Sequence, residues 1–215
     1  MSYTGTMEIL GKLFGSPARV KVMRLFLLNP DAGFEPSDVV RKAKISKSSA
    51  RKELNLLKAA HFIRQKSFIK DIQLKDKVRK KRVKGWFLND SFPQLEILKV
   101  LLVGSELMNN EEIGKRFRKA GKIKLLAVAG VFIQDKNSRV DLLLVGDKLK
   151  RNVVYSIIKD IEAEVGKELI YALFDTKEFI YRLNMYDKLI DDILSYPHER
   201  IIENREFSTL PLKKF

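Results

Sequence analysis

The segment Ser46 to Phe62, SKSSARKELNLLKAAHF, divides into two faces when wound as a helix, and no other stretch constrains the chain as much. Ala50, Leu54 and Leu57 fall at i, i+4 and i+7 and can pack inward together. Ser48, Arg51, Lys52 and Asn55 fall at i, i+3, i+4 and i+7 on another face, and each can hydrogen-bond to a phosphate or a base edge. Lys47, Ser49 and Lys58 flank that face. A basic run follows: Val78-Arg79-Lys80-Lys81-Arg82-Val83-Lys84. A narrow hydroxyl-and-arginine face ahead of a cationic hairpin suits a helix in a DNA major groove, with the hairpin on the adjacent backbone.

The elements on either side support that placement. Ser16 is positioned to N-cap a first helix with Pro17 at its first position, carrying Val20, Met23 and Leu27 and stopping at Asn29-Pro30. Asp31-Ala32-Gly33 reads as a turn and Phe34-Glu35 as a short extended piece. A second helix is expected from about Pro36 to Ala43, and the Ser46 helix is third. Phe62 to Lys70 reads as a strand and Val78 to Asn89 as its return, joined by the charged segment Asp71 to Lys77. Three helices and a two-stranded hairpin in this order predict a winged helix-turn-helix over residues 1–90. Trp86 and Phe87 are expected to close the hairpin onto the helices, and His61 to pack or cap at the end of the third.

Residues 91–121 read as linking helices. One is apolar at Leu95, Leu98, Leu101 and Leu102; another spans Glu111 to Ala120, with Gly121 as its stop. A second domain is expected over 122–203, with a tail at 204–215. Its strand candidates are Lys124–Ile133, Val140–Val145 and Leu169–Phe174, with a helix from Asn152 to Val165 between the last two. A further helix, Glu178 to Leu194, should break around Asn184 to Asp187. An apolar hairpin, a helix and a third strand predict an α/β unit with a mixed sheet. The fold class is thus α+β in two domains.

Charge separates the two halves. Residues 1–103 hold 22 Lys+Arg against 9 Asp+Glu, a net +13, while residues 104–215 hold 20 against 18, a net +2. The surface for a polyanion therefore belongs to the first half. The apolar fraction of 45% is enough for packed cores. No apolar run reaches the roughly 18 residues of a membrane span, and the longest, Leu125 to Ile133, reads as a buried strand. The opening MSYTGTMEIL lacks the pattern of a secretory signal, so a cytoplasmic location without membrane contact is expected. With no cysteine and only two histidines, His61 and His198, the chain offers little to a metal, and no cofactor is expected.

Two known families are similar to these residues. Residues 14–90 resemble the winged-helix domains of ArsR/MarR-like repressors, through Ser16-Pro17-Ala18-Arg19-Val20-Lys21-Val22 and Ile45-Ser46-Lys47-Ser48-Ser49-Ala50-Arg51-Lys52-Glu53-Leu54-Asn55-Leu56-Leu57. Residues 122–203 resemble a minimal nucleotidyltransferase domain of the polymerase-β type, whose signature is Gly-Ser after an apolar strand and Asp-apolar-Asp on the next. Here Leu125 to Ala129 leads to Gly130-Val131, and the second strand reads Ser138-Arg139-Val140-Asp141-Leu142. Val131 stands where the resemblance implies the serine, and Arg139 where it implies the first aspartate. Two-metal chemistry needs carboxylates that hold cations about 3.5–4 Å apart. An arginine two residues before Asp141 would repel such a cation and could pair with Asp141 instead.

The expectation is a DNA-binding transcriptional regulator, not an enzyme, that pairs as a homodimer on double-stranded DNA. Lys47, Ser48, Ser49, Arg51, Lys52, Asn55 and Lys58 would meet bases and phosphates, with Arg79, Lys80, Lys81, Arg82 and Lys84 of the hairpin on phosphates. Gly130, Arg139 and Asp141 would be the remnant of a nucleotide site in a scaffold or sensor domain, its effector, if any, a nucleotide or other small molecule not specified by these residues. Leu95, Leu98, Leu102 and Phe92 form the expected dimer seam. Two alternatives remain: an active nucleotidyltransferase whose winged helix recruits its substrate, and an architectural protein that binds nucleic acid by charge alone.

Overall fold

The computed structural model describes residues 6–74, 77–104 and 107–208. The chain divides into two compact units. The first comprises Met7–Ser105 with Glu162–Lys167, and the second takes the remaining described residues. The stretch expected to link the domains is therefore split, its first helix going to the first unit and its second to the other.

In the first unit the elements run α1 (Thr6–Leu13), α2 (Pro17–Leu27), α3 (Pro36–Ala43), α4 (Lys47–Ala59), β1 (Ile63–Leu74), β2 (Lys77–Leu88) and α5 (Leu95–Val103). Local chemistry explains the starts and stops. Ser16 Oγ accepts the Arg19 amide at 3.2 Å, with Pro17 opening α2. Ser46 Oγ accepts the Ser49 amide at 3.0 Å and starts α4. Lys44 takes a left-handed backbone, φ 48°, to turn the chain between α3 and α4. Phe34 exchanges backbone hydrogen bonds with Trp86 at 2.9 and 2.8 Å, so the short extended piece is real and ties the hairpin to the helices. Val20, Phe26, Val39, Ala50, Leu54, Leu57, Phe62 and Trp86 are buried together as the core of this unit. Each large apolar side chain contributes about 1.5–3 kcal/mol on burial.

The hairpin is longer than expected. β1 and β2 pair without a bulge from Ile63–Leu88 to Leu74–Lys77, so most of the supposed charged connection is strand. Pairing persists through the charges because Asp71 lies opposite Lys80, and because Lys70, opposite Lys81, is held by acids of another element. The basic run lies along the return strand β2.

Glu162–Lys167 are bound into the first unit by a buried arginine. Arg24 is 1% exposed; its Nε donates to Leu102 O at 2.8 Å and its NH1 to Glu164 O at 3.0 Å. Burial pulls this guanidinium down to about 10, partly opposed by the Glu164 charge. Gly166, at φ 89°, passes so close that a Cβ there would sit 2.6 Å from the Arg24 carbonyl carbon. Glycine is required at that point.

The second unit contains α6 (Asn110–Phe117), β3 (Lys122–Val128), β4 (Leu142–Asp147), α7 (Arg151–Val165) as far as Ile161, β5 (Tyr171–Phe174), α8 (Thr176–Asn184), α9 (Lys188–Ser195), β6 (Glu199–Glu203) and α10 (Arg205–Ser208). Its sheet has the order β5-β4-β3-β6, with β4 and β5 parallel and the other pairs antiparallel, so it is mixed. The strand expected over Lys124–Ile133 ends at Val128, and a 3-10 turn occupies Gly130–Phe132. β6 lies beyond the last element expected from the sequence, within the 122–203 domain, and pairs with β3. Leu125, Leu143, Val145, Phe174, Phe179 and Phe207 meet in the core. Among the described residues no helix is long and apolar enough to cross a membrane.

Candidate nucleic-acid interface and the Asp141 turn

α4 buries Ala50, Glu53, Leu54 and Leu57 and leaves Lys47, Ser48, Arg51, Lys52, Asn55 and Lys58 exposed. Glu53, the helix's single acid, is 2% exposed and accepts Arg19 Nε at 2.8 Å. The outward surface of α4 thus carries cations, hydroxyls and an amide with no opposing charge. Ser49 is half-buried, and its hydroxyl accepts from Ser46 Oγ at 2.9 Å; Ser48 Oγ lies 2.9 Å from the same oxygen. These serines form the cap of the helix, which places Ser49 within the capping network and leaves Ser48 the more accessible of the two.

Side chains alternate along β2. Lys80, Arg82 and Lys84 share a face with Trp86, which turns toward α4, while Arg79 and Lys81 share the opposite face with Phe87. All five are exposed. Lys58 Nζ stands 5.9 Å from the centre of the Trp86 ring, linking the end of α4 to the hairpin by a cation–π contact. The expected cationic residues are therefore gathered on two adjoining elements, but the hairpin presents them on both faces instead of one.

Behind the hairpin is an ion-pair cluster that sequence reading missed. Lys70 Nζ bonds Asp38 Oδ2 at 2.6 Å and Glu35 Oε2 at 2.8 Å, and Asp38 Oδ2 also accepts the Glu35 amide at 3.1 Å. Burial works to raise the Asp38 carboxyl, but the hydrogen bond from Lys70, with the Glu35 amide and the Lys70 charge, outweighs it and leaves Asp38 lowered. Burial likewise works to lower Lys70, and its bonds to Asp38 and Glu35 outweigh that and leave it raised. The Glu35-x-x-Asp38 spacing at the start of α3 was a visible signal of a capping box. The lysine from a distant strand was not.

Beside α4 lies a cavity of about 580 Å³, whose lining includes Val40, Leu54 and Trp86 together with Lys47, Arg51 and Asn55. No family model, curated protein or solved structure matches this chain.

The residues likened to a nucleotide site are arranged differently from the expectation. Asp141 is 7% exposed, and its carboxylate accepts the amides of Val131 and Ile170, each at 2.8 Å. Gly130, at φ 53°, is pressed so close that a Cβ would lie 2.2 Å from Asp141 Oδ1. Arg139 does not pair with Asp141. It is exposed and donates from Nε to Asp192 Oδ2 at 3.0 Å. β4 begins only at Leu142, so Arg139 and Asp141 do not share a strand face as expected. Asp175 accepts the Glu178 amide at 2.8 Å as the N-cap of α8. Among the described residues no group of three or more His, Cys, Asp or Glu could hold a metal ion.

Proposed function

We propose that the first unit is a winged helix-turn-helix that binds double-stranded DNA, and that the chain is a transcriptional regulator acting as a homodimer. One observation carries this reading: α4 and β2 expose Lys47, Arg51, Lys52, Lys58, Lys80, Arg82 and Lys84, while the acid of α4 is turned inward onto Arg19. Arg51 and Asn55 have the chemistry for guanine and adenine edges in a major groove. Lys47, Lys52, Lys58 and the hairpin cations meet phosphates, with Arg79 and Lys81 engaging those on the far side of the hairpin. Ser48 adds a hydroxyl to the same surface.

α5 supports pairing of two copies, although the seam differs from the expected one. Leu102 is buried at 1% exposure and Phe92 packs on Phe62 with ring centres 5.6 Å apart, whereas Ile97, Val100 and Leu101 are exposed. A two-fold pairing over that row matches a two-fold operator.

The second unit is a non-catalytic scaffold or sensor in this reading. Asp141 is committed to two backbone amides and Arg139 to Asp192, which leaves neither aimed at a cation.

Selection from random duplexes at physiological salt tests the regulator. A consensus with two-fold symmetry supports it; selection that returns no consensus supports a charge-driven architectural protein instead. Transfer from labelled nucleotides in Mg²⁺ or Mn²⁺, lost in Asp141→Asn while the chain stays folded, would overturn the non-catalytic assignment.

A further inference from the structure

The near-neutral total of residues 104–215 conceals a local excess of positive charge in the second unit. Residues 118–122 and 147–151 hold six cations, Arg118, Lys119, Lys122, Lys148, Lys150 and Arg151, against one acid, Asp147. The rest of 104–215 holds 14 Lys+Arg against 17 Asp+Glu, a net −3. The fold brings the two basic segments together. Lys122 lies opposite Asp147 where β3 begins and β4 ends, and the Lys150 amide donates to Ala120 O at 2.8 Å. Gly121 passes so close that a Cβ there would lie 2.9 Å from Lys148 O. All six cations are exposed, and Asp147 is half-buried. Acids of the neighbouring α6 are occupied, Glu111 by Lys115 at 2.7 Å and Glu112 by Arg116. Among the described residues, Lys119, Lys148 and Lys150 make no ion pair.

This cluster occupies the end of the sheet away from the Asp141 turn. Lys122 and Val128 bound β3, and that length of strand spans about 20 Å. The chemistry of the cluster selects among polyanions. None of its ten residues is aromatic, so it offers no platform on which the bases of a single strand could stack. Ala120 is buried and Leu149 half-buried, which leaves no exposed apolar side chain to enter a bilayer. Four of the six cations are lysines, point charges that meet phosphates without the planar fork that pairs with carboxylates. Duplex DNA presents one negative charge per about 1.7 Å of its axis and releases counterions when those charges are met. We propose that the cluster is a second, sequence-independent contact for the phosphate backbone of double-stranded DNA. The choice of duplex rests on the reading of the first unit above. The cluster adds affinity to every sequence alike and leaves discrimination to α4.

Two variants of the full chain with equal loss of charge test this. One combines Lys119→Gln, Lys148→Gln and Lys150→Gln in the cluster. The other combines Lys136→Gln, Lys177→Gln and Lys188→Gln, exposed positions elsewhere in the second unit. Fluorescence anisotropy on selected and scrambled duplexes gives the slope of log affinity against log salt for each. In the cluster variant the slope should fall by up to about 2.7, equally on both duplexes, and in the other by less than about a third of that. If the cluster variant does not fold, Lys119→Gln alone decides, with a fall of up to about 0.9. Equal slopes in the two variants, or a cluster variant that matches the wild type, overturn the contact. They leave the first unit's reading standing, because Lys80, Arg82 and Lys84 are tested separately. A slope that responds to the cluster but not to the hairpin retains the contact and refutes the first unit as the DNA reader. Phosphatidylserine vesicles and polyglutamate are the competing polyanions. Binding to either that disappears in the cluster variant, with duplex affinity unchanged, overturns the duplex assignment. A wild-type chain that binds no duplex at any salt overturns both readings.

Discussion

Arg19 Nε donates to Glu53 at 2.8 Å, across the gap between α2 and α4, and the bond is nearly dry: the Glu53 side chain is 3% exposed. The same contact packs two helices and keeps a negative charge off the surface proposed to meet DNA. Removing one partner leaves a buried charge uncompensated, which costs about 3–5 kcal/mol. Arg19→Ala should therefore destabilise the first unit by about 3 kcal/mol, read as a lower urea midpoint of Trp86 emission. Replacing both residues with apolar side chains of similar volume should restore most of that loss. If Arg19→Ala shifts the midpoint no more than an exposed lysine does, the pair is not structural.

Asp141 has an equally local role in the second unit. Its two oxygens satisfy two part-buried amides, those of Val131 and Ile170. Asp141→Ala should cost up to about 6 kcal/mol, because each orphaned amide carries a penalty of up to about 3 kcal/mol, reduced where water reaches it. Asp141→Asn keeps one acceptor and should lose less. Gly130→Ala should be destabilising as well, since its Cβ strikes the carboxylate and its φ is positive. Thermal unfolding followed by far-UV circular dichroism ranks the three. Midpoints independent of added Mg²⁺ are expected for all of them, and a Mg²⁺-dependent midpoint that disappears in Asp141→Asn would restore a metal to the site.

Much of this architecture was legible because it is encoded locally. Ser16-Pro17, Pro36 to Ala43 and Ser46 with Ala50, Leu54 and Leu57 state their helices by caps and spacing, and the break between α8 and α9 shows in Asn184 to Asp187. The errors share a cause: the deciding partner is distant. Asp71 to Leu74 continue a strand only because β2 lies opposite them. ERIIE of β6 is short and half-buried, so its alternation is weak until β3 supplies the pairing. Arg139 looks like a partner for Asp141 along the chain, yet Asp192 on α9 takes it. The cavity beside α4 has no sequence signal, because it arises from α3, α4 and β2 meeting around Trp86.

The hairpin and α4 cations should separate by salt dependence. Replacing Lys80, Arg82 and Lys84 with Ala removes up to three phosphate contacts, and the slope of log affinity against log salt should fall by up to about 2.7. All duplexes should weaken alike. Arg51→Ala or Asn55→Ala should instead cost about 1–3 kcal/mol on the preferred site and little on others. Fluorescence anisotropy at several salt concentrations, on selected and scrambled duplexes, checks both. Identical behaviour of the two classes would remove α4 as a base reader.

The Lys70 cluster predicts a pH window for the hairpin's attachment. Asp38 is lowered in the fold, so its contribution is present above the unfolded carboxyl's ordinary range and fades as pH falls through the folded value. Lys70 is raised, so its contribution is complete below the unfolded amine's range and fades as pH rises through the folded value. The attachment is strongest between those limits, spanning neutral pH. Both groups are partly solvated, which keeps the effect within about 1 kcal/mol. Lys70→Met should flatten both flanks of the stability profile of the first unit, followed by Trp86 emission from acid to alkaline pH. An unchanged profile would show the cluster to be incidental.

Pairing of two copies is the last quantity to separate. Ile97 and Val100 are 69% and 68% exposed on α5, three residues apart on one face with Leu101 beside them. Charges there are easily hydrated in a single chain and costly in a closed seam. Ile97→Asp with Val100→Glu should leave the urea midpoint of Trp86 emission nearly unchanged and convert a dimer to a monomer in sedimentation equilibrium. Such a monomer should retain the salt-dependent, sequence-independent part of duplex affinity and lose preference for a two-fold site, since each copy then binds one half-site alone. A wild-type chain that sediments as a monomer both free and on its selected duplex would overturn the seam, leaving α5 with an apolar row that serves some other contact.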